Sequence, residues 1–237
     1  MSSKQKNTPV VTNRLLAALP KKECQRLLTD LEPMKLTFGD ILFEPGDNIE
    51  HVYFPNNGII SLLSAVGERE HVEVGIVGNE GMAGLPVFMG VNKSRNRGLV
   101  QGEGSALRMK AAVLRTATRN GNALTALLHR YTHSLLTQIS QSAACNRFHL
   151  VNERLARWLL MTHDRTEGDE FRLTQEFLSQ MLGVRREGVT VAAGILQKQK
   201  LIRYSRGQIR ILDRAGLEAT ACKCYEVVKD EYDNFLD

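Results

Sequence analysis

Between Met34 and Lys110 apolar and polar residues alternate in short runs: Met34 to Phe38, Ile41 to Phe43, His51 to Phe54, Gly58 to Ala65, His71 to Val77, Gly98 to Gln101 and Ser105 to Lys110. A period of two marks strands with one buried face. Glu44-Pro-Gly-Asp47, Pro55-Asn-Asn-Gly58 and Val77-Gly-Asn-Glu-Gly81 carry turn chemistry between the runs. Many short strands in so little chain predict a double-sheet β-roll, a jelly roll that closes its own edges. Before it, Asn13 to Asp30 reads as a pair of short amphipathic helices, with Leu15, Leu16, Leu19, Leu27 and Leu28 available for packing.

After Lys110 the spacing becomes helical. Gly121 suits the end of a short helix, and from Ala123 to about Cys145 a longer one places Leu124, Leu128, Tyr131, Leu135, Gln138, Ser142 and Cys145 at alternating gaps of four and three. That is the spacing of a coiled-coil seam, and it predicts a homodimer; Leu127, Leu136 and Ile139 widen the stripe toward the roll. The plainer reading is a helix buried inside one chain. Arg147 to Thr162 continues helically with Leu150, Leu155, Trp158 and Leu159 apolar, and Asp164 to Asp169 is a polar break. Ala215 to Asp237 reads as one further helix with solvated acidic residues. The chain therefore divides into 1–120, 121–150 and 151–237, an α+β protein.

Residues 171–198 concentrate the candidate chemistry. Thr174 is a hydroxyl N-cap, and Phe177, Leu178, Met181 and Leu182 share one helical face. Gly183 suits the left-handed residue that ends this helix and turns the chain steeply. Val184 plugs the core, Arg185, Arg186 and Glu187 open the next helix, and Val189, Ala192, Ala193, Ile195 and Leu196 form its buried side. Guanidiniums can pair with guanine edges and a carboxylate can accept from cytosine, so this N-terminus fits the major groove. A helical hairpin with a merely solvated turn is the alternative. Against it stands Gln199 to Asp213, which alternates about Ser205-Arg206-Gly207 as a β-hairpin does. Helix-turn-helix followed by a basic hairpin is a winged helix, whose Arg203, Arg206 and Arg210 suit phosphates. The candidate DNA-contacting set is Thr174, Gln175, Arg185, Arg186, Glu187, Thr190, Arg203 and Arg206.

Composition narrows this little. The 237 residues carry a formal net charge of +5 and 43% hydrophobic residues, which suits a folded protein with a polyanion partner. No apolar run approaches the ~20 residues of a membrane span, and Met1 to Asn7 lacks a hydrophobic segment after it, so the expected location is the cytoplasm. Cys24, Cys145, Cys222 and Cys224 show no paired spacing for zinc and no N-terminal cluster for iron and sulfide, and are expected as reduced structural thiols; Cys222-Lys-Cys224 also admits a redox role. No metal site and no cofactor is predicted. His129 and His133 lie one helical turn apart, with His149 further on, and are expected to be solvated or at an interface; a haem ligand among them has no short signature of its own.

This order of elements resembles the Crp/Fnr family of bacterial transcription regulators over nearly the whole chain. In Leu173-Thr-Gln-Glu-Phe-Leu-Ser-Gln-Met-Leu-Gly-Val-Arg-Arg-Glu-Gly-Val-Thr190, residues Thr174, Gln180, Gly183, Arg186, Glu187 and Val189 match the family's recognition motif in type and spacing. The resemblance implies a sensory, cyclic-nucleotide-binding-like roll with its N-terminal helices at 1–120, a dimerisation helix at 121–150 and a DNA-binding winged helix at 151–237. It also implies Arg186 and Glu187 on base edges with Arg185 beside them, double-stranded DNA bearing an inverted repeat, a second copy of the chain and RNA polymerase as partners, and no membrane. A family member that reads a cyclic-nucleotide-controlled promoter has a further arginine near Val191, so the resemblance does not fix the target sequence here. Phe43-Glu-Pro-Gly-Asp47 and Gly58 are similar to early turns of the family's roll.

The effector site departs from the family pattern. Cyclic-nucleotide binders use a glutamate on the ribose and an Arg-Ser pair on the phosphate; here the glutamate position is Gly84, Glu80 is offset from it, and Arg95 and Arg97 lack a following hydroxyl. The hydroxyl pair that meets the base falls near Ile139 and Ser140, and an isoleucine has no hydrogen bond to offer. Gly78, Glu80, Gly84, Arg95, Arg97 and Ser140 remain the candidate effector residues, with the effector unknown and cyclic AMP disfavoured. One alternative is a cyclic-nucleotide-responsive regulator with a divergent site. Another is a metal-dependent cupin-like enzyme, for which His51, His71 and Glu73 are too dispersed. No nucleophile elbow or phosphate-binding glycine loop is present, and the expectation is that the protein is not an enzyme.

Overall fold

The computed structural model of the chain describes residues 11–65, 67 and 71–236. The polar opening Met1 to Asn7 lies outside them. Two short helices, α1 (Arg14–Ala17) and α2 (Lys21–Leu28), come first. Asn13 fixes them to the rest: it is fully buried, caps α1 by accepting from the Leu16 amide at 3.1 Å, and donates to Pro55 O and Gly81 O at 2.9 Å each.

The roll is one antiparallel five-stranded sheet of β1 (Glu32–Leu36), β2 (Ile41–Phe43), β3 (His51–Ala65), β4 (His71–Val77) and β5 (Asn96–Lys110). Its path runs β1-β5-β3-β4, and β2 pairs with β5 beyond β1. Two expectations are corrected here. His51 to Phe54 and Gly58 to Ala65 form a single strand, as do the two runs within β5. Pro55-Asn-Asn-Gly58 is a bend within β3, where the register with β5 slips repeatedly between Pro55 and Ile60. At the bend, Gly58 has φ +88, and a Cβ on it would lie 2.7 Å from Gly102 O. A Cβ on Gly104 would meet Asn57 O at 2.4 Å, so the two strands cross this closely only because both positions lack side chains. Phe54, Ile59, Ile60, Leu63, Ile76, Leu107 and Met109 fill the interior.

Helix α3 (Ala111–Thr118) leads into α4 (Ala123–Phe148), which Asn122 caps by accepting from the Thr125 amide. His149 leaves the helical conformation, and α5 (Val151–His163) starts anew, so the continuous helix expected through this region has an elbow at His149 and Leu150. The sequence places the α4 seam correctly as a buried stripe and mistakes what covers it. Leu124, Leu128, Tyr131, Leu135, Gln138 and Cys145 are all buried within this chain, and Ser142 half-buried. The cover is β4 on one side and, on the other, the C-terminal helix α9 (Cys224–Asn234), separated from α8 (Arg214–Thr220) by a short turn, where one helix was expected. Gln138 accepts from the Ile76 amide and donates to the Tyr232 hydroxyl at 3.0 Å, while Ser134 donates to Glu231 at 2.8 Å, so that acidic residue is tied down.

Three of the four cysteines are not scattered in space. Cys145, Cys222 and Cys224 are buried together beside His149, and Cys24 stands apart.

Candidate nucleic-acid interface

The C-terminal region is built as the apolar pattern dictates. Helix α6 (Gln175–Leu182) starts at Thr174, whose hydroxyl accepts from the Phe177 amide at 3.1 Å, a cap contributing about 1 kcal/mol. It stops at Gly183 with φ +59, where the Val184 amide returns to Ser179 O. Helix α7 (Arg186–Lys198) then leaves from Arg185 and buries Val189, Ala192, Ala193 and Leu196. Strands β7 (Ile202–Ser205) and β8 (Gln208–Ile211) form the hairpin, turning through Arg206 and Gly207 at φ +50 and +76. A third strand, β6 (Glu170–Arg172), escaped the sequence reading; it pairs along β8.

The opposite side of α7 is free. Arg185, Arg186, Glu187, Thr190 and Val191 are exposed, and Ile195, expected among the buried residues, is partly exposed on the same side. An open groove runs between this N-terminus and the hairpin, lined by Thr174, Gln175, Glu176, Arg186, Tyr204 and Arg206 among others. Four of the eight candidate contacts therefore share one concavity. Arg185, Glu187, Thr190 and Arg203 lie outside its lining, exposed on the same two elements. Thr190 is partly spent locally, donating its hydroxyl to Arg186 O at 3.0 Å. Arg210 pairs with Glu170 at 3.6 Å.

Two participants went unread in the sequence. Glu176, on the first turn of α6, forms an ion pair with Arg186; both are exposed. Tyr204 stands half-buried on the groove wall and donates its hydroxyl to Leu173 O at 3.0 Å. A glutamate two residues after an N-cap is a common feature of helix starts, so neither residue had a signal distinguishing it.

The whole unit is docked against the roll. Phe38 and Phe177 rings meet at 5.6 Å and Val72 packs on Gly183, while within the unit Arg154 of α5 donates to Leu182 O at the end of α6. At the centre, Trp158 Nε1 donates to Glu73 Oε1 at 2.7 Å. Burial pushes the Glu73 carboxyl up to about 7, against the opposing pull of the Ser61 hydroxyl, the Trp158 indole and the Arg157 and Arg165 charges. Its other oxygen has no partner among the described residues.

The candidate effector residues do not converge. Glu80 is buried in an ion pair with Arg165 at 2.9 Å and also accepts from the Gly78 amide at 3.1 Å. Arg165 lies over the Tyr232 ring at 5.2 Å. Gly84, at φ +95, leads into a short 3-10 turn beside Val52, while Arg97 pairs with Glu44 at 2.7 Å. Arg95 and Ser140 are exposed. The cupin grouping is equally dispersed, with His51 and His71 at opposite ends of β3, the latter opposite Ala65.

None of the described helices is long and apolar enough to cross a membrane. Residues 153–220, from the start of α5 to the end of α8, match the Crp-like helix-turn-helix domain. No curated protein sequence matches the chain. Solved structures do. A Crp/Fnr-family transcriptional regulator from Eubacterium rectale superposes with a TM-score of 0.69 at 16% identity, covering 87% of this chain and 97% of its own. FixK2 from Bradyrhizobium japonicum gives 0.65 at 16% identity, with 81% and 98% covered. CLP, a c-di-GMP-responsive global regulator from Xanthomonas campestris, gives 0.61 at 16% identity, with 81% and 99% covered. Residues 153–220 thus form a Crp-like helix-turn-helix domain, and the chain shares the α+β fold of solved Crp/Fnr-family regulators.

Proposed function

We propose that the protein is a bacterial, cytoplasmic transcription regulator that binds a specific inverted repeat in duplex DNA as a homodimer. The observation that carries this is the groove at the start of α7, where Thr174, Gln175, Arg186 and Arg206 gather around an exposed helix N-terminus. Such an end presents amides, a favourable dipole and guanidiniums to the major groove and its phosphates. Arg186 must leave Glu176 to reach a base, and because that pair is exposed the exchange costs little. RNA polymerase is the protein partner this role requires.

Dimerisation uses the outer face of α4. His129, His133, Leu136, Ser140, Ala143 and Arg147 are exposed there at alternating gaps of four and three, with Leu136 56% exposed and Phe148 77% exposed at the elbow. The roll serves as sensor for an effector other than a cyclic nucleotide, since Glu80, with Gly78 beside it, is committed to Arg165 and Arg97 is committed to Glu44.

Selection of bound duplexes from a randomised pool tests this directly. The protein should enrich a two-fold symmetric motif with half-sites one helical turn, ~34 Å, apart. Arg186→Ala should lose about 1–3 kcal/mol of discrimination at one base position per half-site while keeping its thermal stability. Enrichment of no motif, or the same motif with undiminished selectivity in the variant, would overturn the assignment.

A further inference from the structure

The residues sharing the elbow between α4 and α5 with the turn before α9 go beyond the DNA-binding role. Cys145 lies in the last turn of α4, and His149 follows one turn later, where the backbone leaves the helix while its amide still donates to Cys145 O at 3.2 Å. Cys222 and Cys224 flank the exposed Lys223 at the turn between α8 and α9. The fold brings these two segments together so that Cys145 Sγ lies 3.4 Å from Cys222 Sγ and Cys224 Sγ lies 3.6 Å from His149 Nδ1. All four donor atoms fall within 4.8 Å of one another.

We propose that Cys145, His149, Cys222 and Cys224 form a mononuclear structural zinc site. A tetrahedral ion with bonds of about 2.3 Å to sulfur and 2.0–2.1 Å to nitrogen needs sulfurs roughly 3.8 Å apart and sulfur and nitrogen roughly 3.6 Å apart, so the Cys224–His149 pair already fits and the Cys145–Cys222 pair must open by a few tenths of an ångström. Three thiolates and an imidazole select a borderline-soft ion over a hard one such as magnesium or calcium. The surroundings suit the charge: Arg154 and Arg157 are each 7% exposed in the same part of the core, and each has an Nε without a hydrogen-bond partner among the described residues. With four protein ligands and all three cysteines buried, no coordination position is left for a substrate. The ion joins the elbow to the base of α9, two segments separated by more than seventy residues of chain, and so fixes where α5 departs from α4. The site does not depend on the DNA-binding reading, and it replaces the expectation of isolated structural thiols.

The test is metal analysis of the full chain purified under reductant without added metal, followed by replacement with cobalt. About one zinc per chain is expected, and the cobalt form should show the intense sulfur-to-metal charge-transfer and visible bands of a tetrahedral thiolate site. Cys24→Ser should retain the ion, whereas Cys222→Ser with Cys224→Ser should fall below about a tenth of an equivalent. His149→Asn leaves the thiols in place and should retain cobalt with shifted visible bands. If the double cysteine variant does not fold, the wild-type stoichiometry and the His149→Asn spectrum still decide the matter. Iron with acid-labile sulfide, a Cys145–Cys222 disulfide as the resting state in peptide mass mapping, or metal-free protein that gives no charge-transfer band with cobalt would each overturn the proposal.

Discussion

Glu73 of β4 lines a small gap with residues of α4, α5 and α6, and its chemistry there is unusual for a carboxylate. One oxygen accepts from Trp158 and the other has no partner among the described residues, so burial favours the neutral acid and lifts its pKa to about 7. A carboxyl held higher in the folded than in the unfolded chain favours folding while it stays protonated. Its contribution is fully present below about pH 4.5, the value in the free chain, and is lost as pH rises through about 7. The shift corresponds to an upper bound of about 3 kcal/mol. Thermal midpoints of the wild type should therefore fall, relative to those of Glu73→Gln, between pH 5 and 8, because the amide still accepts from Trp158 and does not ionise. A constant difference across that range would show that the carboxyl does not titrate there. Nothing in the sequence announced this: His71-Val-Glu73 reads as alternating strand, and the tryptophan opposite is far along the chain. The exposed position of Arg185, Arg186 and Glu187 at the start of α7 was legible because three charged residues follow the helix stop in succession.

Elements governed by local period were read almost to the residue: β2, β4, α6 and α7 follow from spacing and caps alone. Those shaped by distant chain were not. Pro55-Asn-Asn-Gly58 carries every local mark of a turn, yet the glycines of β5 on the facing strand let it continue as a bent strand. Periodicity likewise identifies the buried face of α4 without saying that α9, nearly a hundred residues on, supplies the cover. Gly183 shows both kinds of constraint in one residue. Its left-handed backbone is the helix stop read from the sequence, whereas its closeness to Val72 Cγ2, 3.0 Å from where a Cβ would stand, comes from docking on β4. Gly183→Ala should cost about 1–2 kcal/mol from the backbone alone. Added crowding against Val72 should weaken the docking further. Gly194→Ala, within α7 and with nothing near its Cβ position, should have the opposite sign and stabilise by up to about 1 kcal/mol. Chemical denaturation of the two variants beside the wild type checks the pair; equal midpoints would show that Gly183 is under neither constraint.

On the proposed function a single chain would offer DNA one recognition helix, and at the scale of the whole molecule a second copy would remedy that weakness. Two reading units joined at fixed spacing bind with an effective concentration that can raise avidity by about 10²–10⁴-fold without any new contact to a base. The outer face of α4 has the form for such a joint, because the inner face is already consumed by β4 and α9 and the exposed stripe centres on Leu136. Leu136→Glu places a charge at the middle of that stripe on both chains, where two like charges would face each other across the two-fold axis. The wild type should run as two chains per particle in light scattering at micromolar concentration. The variant should run as one, keep its thermal midpoint within a few degrees at low concentration, and bind an inverted repeat at least about 100-fold more weakly while its affinity for an isolated half-site is unchanged. A variant that remains paired and binds the full repeat undiminished would move the joint elsewhere on the surface. A wild type that is monomeric with and without DNA would remove it altogether, and with it the reason for symmetry in the target.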